Sequence, residues 1–131
     1  MIVRSLLPRT EILRGYRSFS KVIAQGRPVG APPVRAFYLV DPAAQFSVKV
    51  GFAVSRSVRK AVLRNRAKRL LRESYRTQKH LLAGKLPAPN KALTIVFMYA
   101  GSPDVTRREV RYGSIEHGVA KVLNEIAGRL N

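Results

Sequence analysis

The chain contains no cysteine, which excludes disulfides, thiolate metal sites and thiol nucleophiles together. Acid is nearly as scarce: 7 Asp plus Glu stand against 25 Lys plus Arg in 131 residues. Histidine occurs twice, at His80 and His117, far apart and in no metal-ligand spacing. No apolar run approaches the roughly 20 residues that span a bilayer. The opening Met1 to Pro8 is too short for a secretory apolar region of roughly 7–15 residues. There is no paired-carboxylate constellation, His-centred nucleophile arrangement or metal cluster of the kind that carries hydrolytic chemistry. These features predict a soluble, cytoplasmic protein.

What is present is a globular composition with a large excess of positive charge. Hydrophobic residues make up 46%, enough for a core, and the formal net charge is +18. Such an excess repels itself in a compact fold and attracts polyanions, so nucleic acid or an anionic membrane is the expected partner class. The length suits one domain. Residues 1–12 show no clear period and read as a mobile basic arm, leaving 13–131 as a single domain.

Along the chain, Phe19, Val22 and Ile23 mark a helical face over Gly15 to Gln25, with Gly26 as its stop. Gly30-Ala-Pro-Pro33 breaks the chain. Arg35 to Val40 reads as a strand closed by Asp41-Pro42. From Phe46 to Ser55, Val48, Val50, Phe52 and Val54 alternate with Lys49, Gly51, Ala53 and Ser55, the period of a half-buried strand. Leu93 to Tyr99 is continuously apolar, as a central strand covered on both faces would be. Gly84 to Asn90 reads as a Pro-containing loop. A tail helix is expected from a capping box at Thr106-Arg-Arg-Glu109, with Tyr112, Ile115, Val119, Val122, Leu123, Ile126 and Leu130 on one face. Gly113 and Gly118 should weaken it by about 1 kcal/mol each. The order predicts an α+β fold, an α-β sandwich with helices laid on a small sheet.

The most informative stretch is Val54 to Arg76. At about 100° per residue, Leu63, Ala67, Leu70, Leu71 and Ser74 fall on one side of a helix. Asn65, Lys68, Arg69, Arg72 and Arg76 gather opposite, flanked by Arg64 and Arg66, with Glu73 the only acid among them. Ordinary solvated faces mix their signs, and like charges three or four residues apart repel by a few tenths of a kcal/mol per pair. A polyanion is the natural compensation. Arginine outnumbers lysine 17 to 8, which suits phosphate because the guanidinium fork offers paired donors. A membrane-surface helix would want bulky aromatic anchors, and this apolar stripe has only Leu and Ala.

The strand end Gly51-Phe-Ala-Val-Ser55, followed by Arg56-Ser-Val-Arg-Lys-Ala-Val62 and by Arg64-Asn65-Arg66-Ala67-Lys68-Arg69-Leu70-Leu71-Arg72-Glu73, resembles the protein subunit of bacterial ribonuclease P. Leu13, Arg14, Phe19, Val22, Ile23 and Gly26 match that family's first helix in order and spacing. Two positions depart from the pattern: Arg59 stands where the family usually has Gly, and Ser57 where it usually has Lys. The resemblance implies a ribosomal protein S5 domain 2-like order, helix–strand–strand(–strand)–helix–strand–helix, with a left-handed crossover between parallel strands. It also implies a protein that assists a catalytic RNA in removing the 5′ leader of precursor tRNA, with Mg²⁺ entering through the RNA.

By the same resemblance Arg56, Lys60, Arg64, Asn65, Arg66, Lys68, Arg69 and Arg72 would face ribonuclease P RNA. A cleft between the first helix and the sheet would hold the leader on Phe19, Ile23 and Phe37 or Tyr38, with Arg14 nearby. Unpaired bases stack on aromatic rings for about 1–3 kcal/mol each, although Phe19 and Ile23 equally suit plain core packing. A ribosomal or other structural RNA-binding protein, or an architectural DNA binder, shares the charge and layout.

Overall fold

The computed structural model describes residues 7, 9–45, 47–82 and 91–130. The expected Phe46 and the Gly84 to Asn90 loop lie outside them. Among these residues three α-helices and four strands form in the order α1 (Tyr16–Gln25), β1 (Arg27–Ala31), β2 (Val34–Pro42), β3 (Ser47–Val54), α2 (Ala61–Gln78), β4 (Lys91–Tyr99) and α3 (Tyr112–Leu130). The strands make one sheet ordered β1-β2-β4-β3. β1 and β2 are antiparallel, as are β2 and β4, whereas β3 and β4 are parallel neighbours joined through α2.

β4 lies inside the sheet, and its Leu93, Ile95, Val96, Phe97 and Tyr99 are buried, as the unbroken apolar run predicts. Alternation holds in β3: Val50, Phe52 and Val54 join the main core with Leu63, Ala67 and Leu71 of α2 and Ile115, Val119, Val122, Leu123 and Ile126 of α3. Phe52, Tyr75 and Phe97 form an aromatic cluster with centroids 5.7–6.1 Å apart. Each large apolar side chain hidden there contributes about 1.5–3 kcal/mol.

α1 covers the other face. A Cβ on Gly51 would lie 2.5 Å from Phe19 Cζ, so the absence of a side chain there lets the Phe19 ring sit down on β3. Gly26 ends α1, but at φ −76° it is not a left-handed stop. It is required because a Cβ would meet the carbonyl oxygens of Val22 at 2.4 Å and Tyr38 at 2.9 Å.

Four boundaries differ from expectation, each for a local reason. β1 was not among the strands read from the residues, and its Pro28 is tolerated because an edge strand accepts a residue with no N–H. The Pro32-Pro33 break is the connection of a hairpin whose last pair is Ala31 with Val34. The Thr106–Glu109 box forms, with Glu109 Oε1 accepting from Thr106 N at 3.2 Å and from its Oγ1 at 3.1 Å, but it closes a separate turn, and α3 starts six residues later at Tyr112. Part of the expected basic arm is docked. Residues 9–11 form a single turn, Ile12 bridges to Val50, and Leu13 N donates to Val50 O at 2.7 Å. Residues 1–6 and 8 lie outside the described residues.

Gly118 also has a packing reason. A Cβ there would meet Val34 Cγ2 at 2.7 Å and Ala31 O at 2.9 Å, so α3 crosses the β1–β2 hairpin at backbone distance.

Candidate nucleic-acid interface

α2 is sorted as its sequence demands. Leu63, Ala67, Leu71, Ser74 and Tyr75 are buried, Leu70 is half-buried, and Asn65, Arg69 and Arg72 are exposed on the far side. Lys68 is half-buried at the flank. The first turn of α2 carries no acid and no side-chain cap, while Arg56, Arg59 and Lys60 stand exposed beside it. Cations at the positive end of a helix dipole are unfavourable by themselves. Such an end attracts an anion through both its free amides and its side chains.

Two arginines of the motif are tied to the fold. The Arg64 guanidinium donates from Nη1 to Ser55 O at 2.9 Å and Val58 O at 2.8 Å, and from Nη2 to Val54 O at 3.3 Å. It therefore holds the β3–α2 loop. Arg66 Nε donates to Val110 O at 2.6 Å, fastening the turn before α3. Both are half-buried on the flanks of the cationic side, where the sequence places them, but neither is a freely solvated cation. Asn65 between them is exposed, and its side chain makes no hydrogen bond among the described residues.

The loop also accounts for the two departures from the family pattern. No non-glycine residue among those described has a positive φ, so Arg59 needs none of glycine's freedom. Ser57 Oγ donates to Gly101 O and lies 2.9 Å from Ser55 Oγ, so it holds the loop as a short polar residue.

A cleft of about 500 Å³ runs between α1 and β3. Gly15, Tyr16, Phe19, Ser20 and Ile23 form one wall, Ala53 and Met98 belong to its floor, and Arg56, Arg64 and Lys68 close its mouth. Register decides between the two aromatic candidates. Phe37 pairs with Val96, and Val96 with Gly51, so all three share the sheet face on which Phe19 lies. Phe37 is half-buried there, with Arg35 Cζ 6.0 Å from its ring centroid. Tyr38 points the other way by strand alternation, is 4% exposed, and lies under Arg129 of α3. Tyr38 is thus a core residue and not part of the cleft.

Arg14 is also displaced from the expected place. It lines a different groove, with Leu7, Arg9, Ile12, Arg72, Glu73 and Arg76. Sequence reasoning missed Tyr16, 81% exposed at the cleft rim, and Arg35, which stacks on Phe37. An aromatic in the first turn beside a Gly, and a cation two residues before an aromatic on a strand, were the available signals. Arg107 was missed as well; it joins Val62, Asn65, Arg66 and Arg69 around a notch on the outer face of α2.

The remaining titratable groups are structural. Arg76 Nε donates to Glu73 Oε2 at 3.1 Å, and this bond holds the Glu73 carboxyl below the usual carboxylate range. Burial, then its bond to Glu11, pushes the Tyr75 phenol far above its ordinary value, so it remains a donor. His80 and His117 are exposed, and Tyr112 meets Thr77 at 3.3 Å where α3 crosses α2.

The family profile described as Ribonuclease P matches residues 7–121. The ribonuclease P protein component of Porphyromonas gingivalis is 34% identical over 129 residues, covering 95% of this chain and 88% of that protein. Its counterpart from Desulfovibrio desulfuricans is 37% identical over 98 residues, covering 75% and 72%. Among solved structures, the RNase P protein of Staphylococcus aureus superposes with a TM-score of 0.57 at 19% identity, covering 92% of this chain and 98% of that one. That of Thermotoga maritima gives 0.56 at 19% identity, covering 88% and 96%. A family match over residues 7–121, with a relative 34% identical over nearly the whole chain, means that this chain belongs to the family of ribonuclease P protein components, the protein subunit of a tRNA-processing endoribonuclease.

Proposed function

We propose that this chain serves its holoenzyme through two continuous RNA surfaces. The outer side of α2, with Arg56, Lys60, Asn65, Lys68, Arg69 and Arg72, takes the backbone of the catalytic RNA. Arg64 and Arg66 hold the loops that shape this face. Arg66 still presents its terminal N–H groups at the notch shared with Asn65 and Arg69. The α1–sheet cleft takes the unpaired 5′ leader of precursor tRNA, with Phe19 and Ile23 of its wall, and Phe37 on the same sheet face beyond the cleft lining, as the base-contacting residues.

The observation that carries this reading is the continuity of the two surfaces. Cations of the α2 region, Arg56, Arg64 and Lys68, line the same cleft as Phe19 and Ile23. A strand leaving the catalytic RNA would meet both charge and apolar or aromatic surface in this cleft, the two features that single-strand grooves combine.

Chemistry stays with the RNA in this reading. Mg²⁺ favours oxygen ligands, mainly carboxylates and phosphates. No group of three or more His, Cys, Asp or Glu gathers among the described residues, and Glu11, Asp41, Glu73 and Glu125 each face a cation. These residues do not fit a metal cage. The protein contribution to metal binding is then indirect: its cations lower the repulsion between crowded phosphates, and Mg²⁺ occupies sites on the RNA at lower concentration.

The test compares holoenzyme affinity for precursor tRNA carrying a multi-nucleotide leader with that for the same tRNA carrying a single leader nucleotide. The longer leader should bind more tightly, and Phe37→Ala should lose roughly five- to a hundredfold of that preference, the equivalent of one stacked base at about 1–3 kcal/mol. Equal affinity for both substrates with the wild-type protein would overturn the leader assignment.

A further inference from the structure

The chain before α1 is fastened down by a contact that leaves its arginines beside α2. Leu7 packs on the core, residues 9–11 make one turn, and Ile12 and Leu13 attach to the open side of β3 at Val50. The fastening is completed by Glu11. Its carboxylate, 15% exposed, accepts from the buried Tyr75 hydroxyl at 2.7 Å and from Lys79 Nζ at 3.0 Å. Both partners lie at the C-terminal end of α2 or just beyond it.

The consequence is a two-walled groove of about 620 Å³. Arg9 and Arg14 stand on one wall, Arg72 and Arg76 on the other, with Leu7 and Ile12 between them. Glu73 is the one acid in the lining, and it is already bonded to Arg76. Four guanidiniums facing one channel repel one another and match a phosphodiester backbone, whose charges recur along a line. Arg72 belongs both to this groove and to the outer face of α2, so the groove extends that face around the helix.

We infer that Leu7 and residues 9–14 form a docked strap, positioned by Glu11, whose Arg9 and Arg14 complete a second backbone-binding groove for the RNA subunit. This rests on the RNA-subunit reading of α2 given above. Glu11 touches no RNA in this arrangement; it is a positioning residue, acting through where it holds the strap.

The role of Glu11 makes an unusual demand on experiment. Removing an acid from a polyanion-binding protein takes the net charge from +18 to +19, and by charge counting alone should tighten binding. If Glu11 positions the strap, Glu11→Ala weakens it instead. The measurement is the affinity of the full-length chain for a transcribed bacterial ribonuclease P RNA across a salt series. Glu11→Ala and the double variant Arg9→Ala/Arg14→Ala should each bind several-fold more weakly. Their log–log salt slopes should be shallower by about 1.4–1.8, the change expected when two fewer phosphates are neutralised.

Combining the three substitutions should cost no more than Arg9→Ala/Arg14→Ala alone. Tyr75→Phe, which keeps every charge and most of the core, should shift affinity in the same direction and decides the matter if Glu11→Ala does not fold. Wild-type or tighter binding by folded Glu11→Ala with an unchanged slope would overturn the strap. In that case Asn65→Ala/Arg69→Ala separates the two readings: weakened binding there leaves the α2 face standing, and unchanged binding removes the RNA-subunit reading as well.

Discussion

At the scale of single residues, the motif Arg64-Asn65-Arg66 divides its labour. Position on a helical wheel places all three near the cationic side, and nothing in the sequence distinguishes an arginine that waits for phosphate from one that binds backbone. The difference arises from tertiary placement. The β3–α2 loop presents three carbonyls to Arg64, and the turn before α3 presents one to Arg66. Hydrogen bonds from a charged donor contribute about 1.5–3 kcal/mol when shielded and less where half-exposed. Arg64→Ala should therefore destabilise the protein by about 1–3 kcal/mol, and Arg64→Lys should recover little, because an ammonium cannot span the three carbonyls. Arg69→Ala, fully on the outer face, should stay within about 0.5 kcal/mol of wild type. Denaturant titration of the three variants checks this, and equal stability of Arg64→Ala and Arg69→Ala would contradict it. The choice between Phe37 and Tyr38 was likewise hidden in the sequence, since it depended on the register of a strand whose start was obscured by prolines. One residue of register exchanges the two faces.

At the scale of elements, what had strong periodicity was legible. The alternation of β3, the apolar run of β4, and the leucine and arginine sides of α2 are all present within a few residues of their expected bounds. Two elements escaped. β1 has Pro28 and Gly30 in five residues and is a strand only because β2 pairs with it. The docked turn at 9–11 has no period, and its anchors, Tyr75 and Lys79, lie more than sixty residues away. The cleft follows from packing between α1 and β3, and its depth is set by Gly51. Gly51→Ala would place a methyl group 2.5 Å from Phe19 Cζ and must lift the ring or α1. Overpacking of this kind costs about 1–3 kcal/mol. Leader-dependent affinity should fall in Gly51→Ala while affinity for the RNA subunit holds, since the outer face of α2 is on another element. Parallel loss of both affinities would show that α1 and α2 do not act as separable surfaces.

At the scale of the whole molecule, the scarcity of acid is the organising fact. Four of the 7 acids face a basic partner inside the fold, at Lys21–Asp41, Glu73–Arg76, Glu11–Lys79 and Glu125–Arg129. The remaining excess of cations is left to an external polyanion, and family membership identifies that setting as tRNA processing, setting aside the ribosomal and DNA-binding alternatives. On the reading proposed above, such a subunit would lower phosphate repulsion and hold substrate without touching the reacting bond. The most direct measurement is cleavage of a leader-bearing precursor tRNA by a bacterial ribonuclease P RNA at Mg²⁺ too low for the RNA alone. Added wild-type protein should restore release of the mature 5′ end, and Asn65→Ala/Arg69→Ala should restore it only at higher protein concentration. Cleavage that stays at the RNA-alone level at saturating wild-type protein would contradict the assignment.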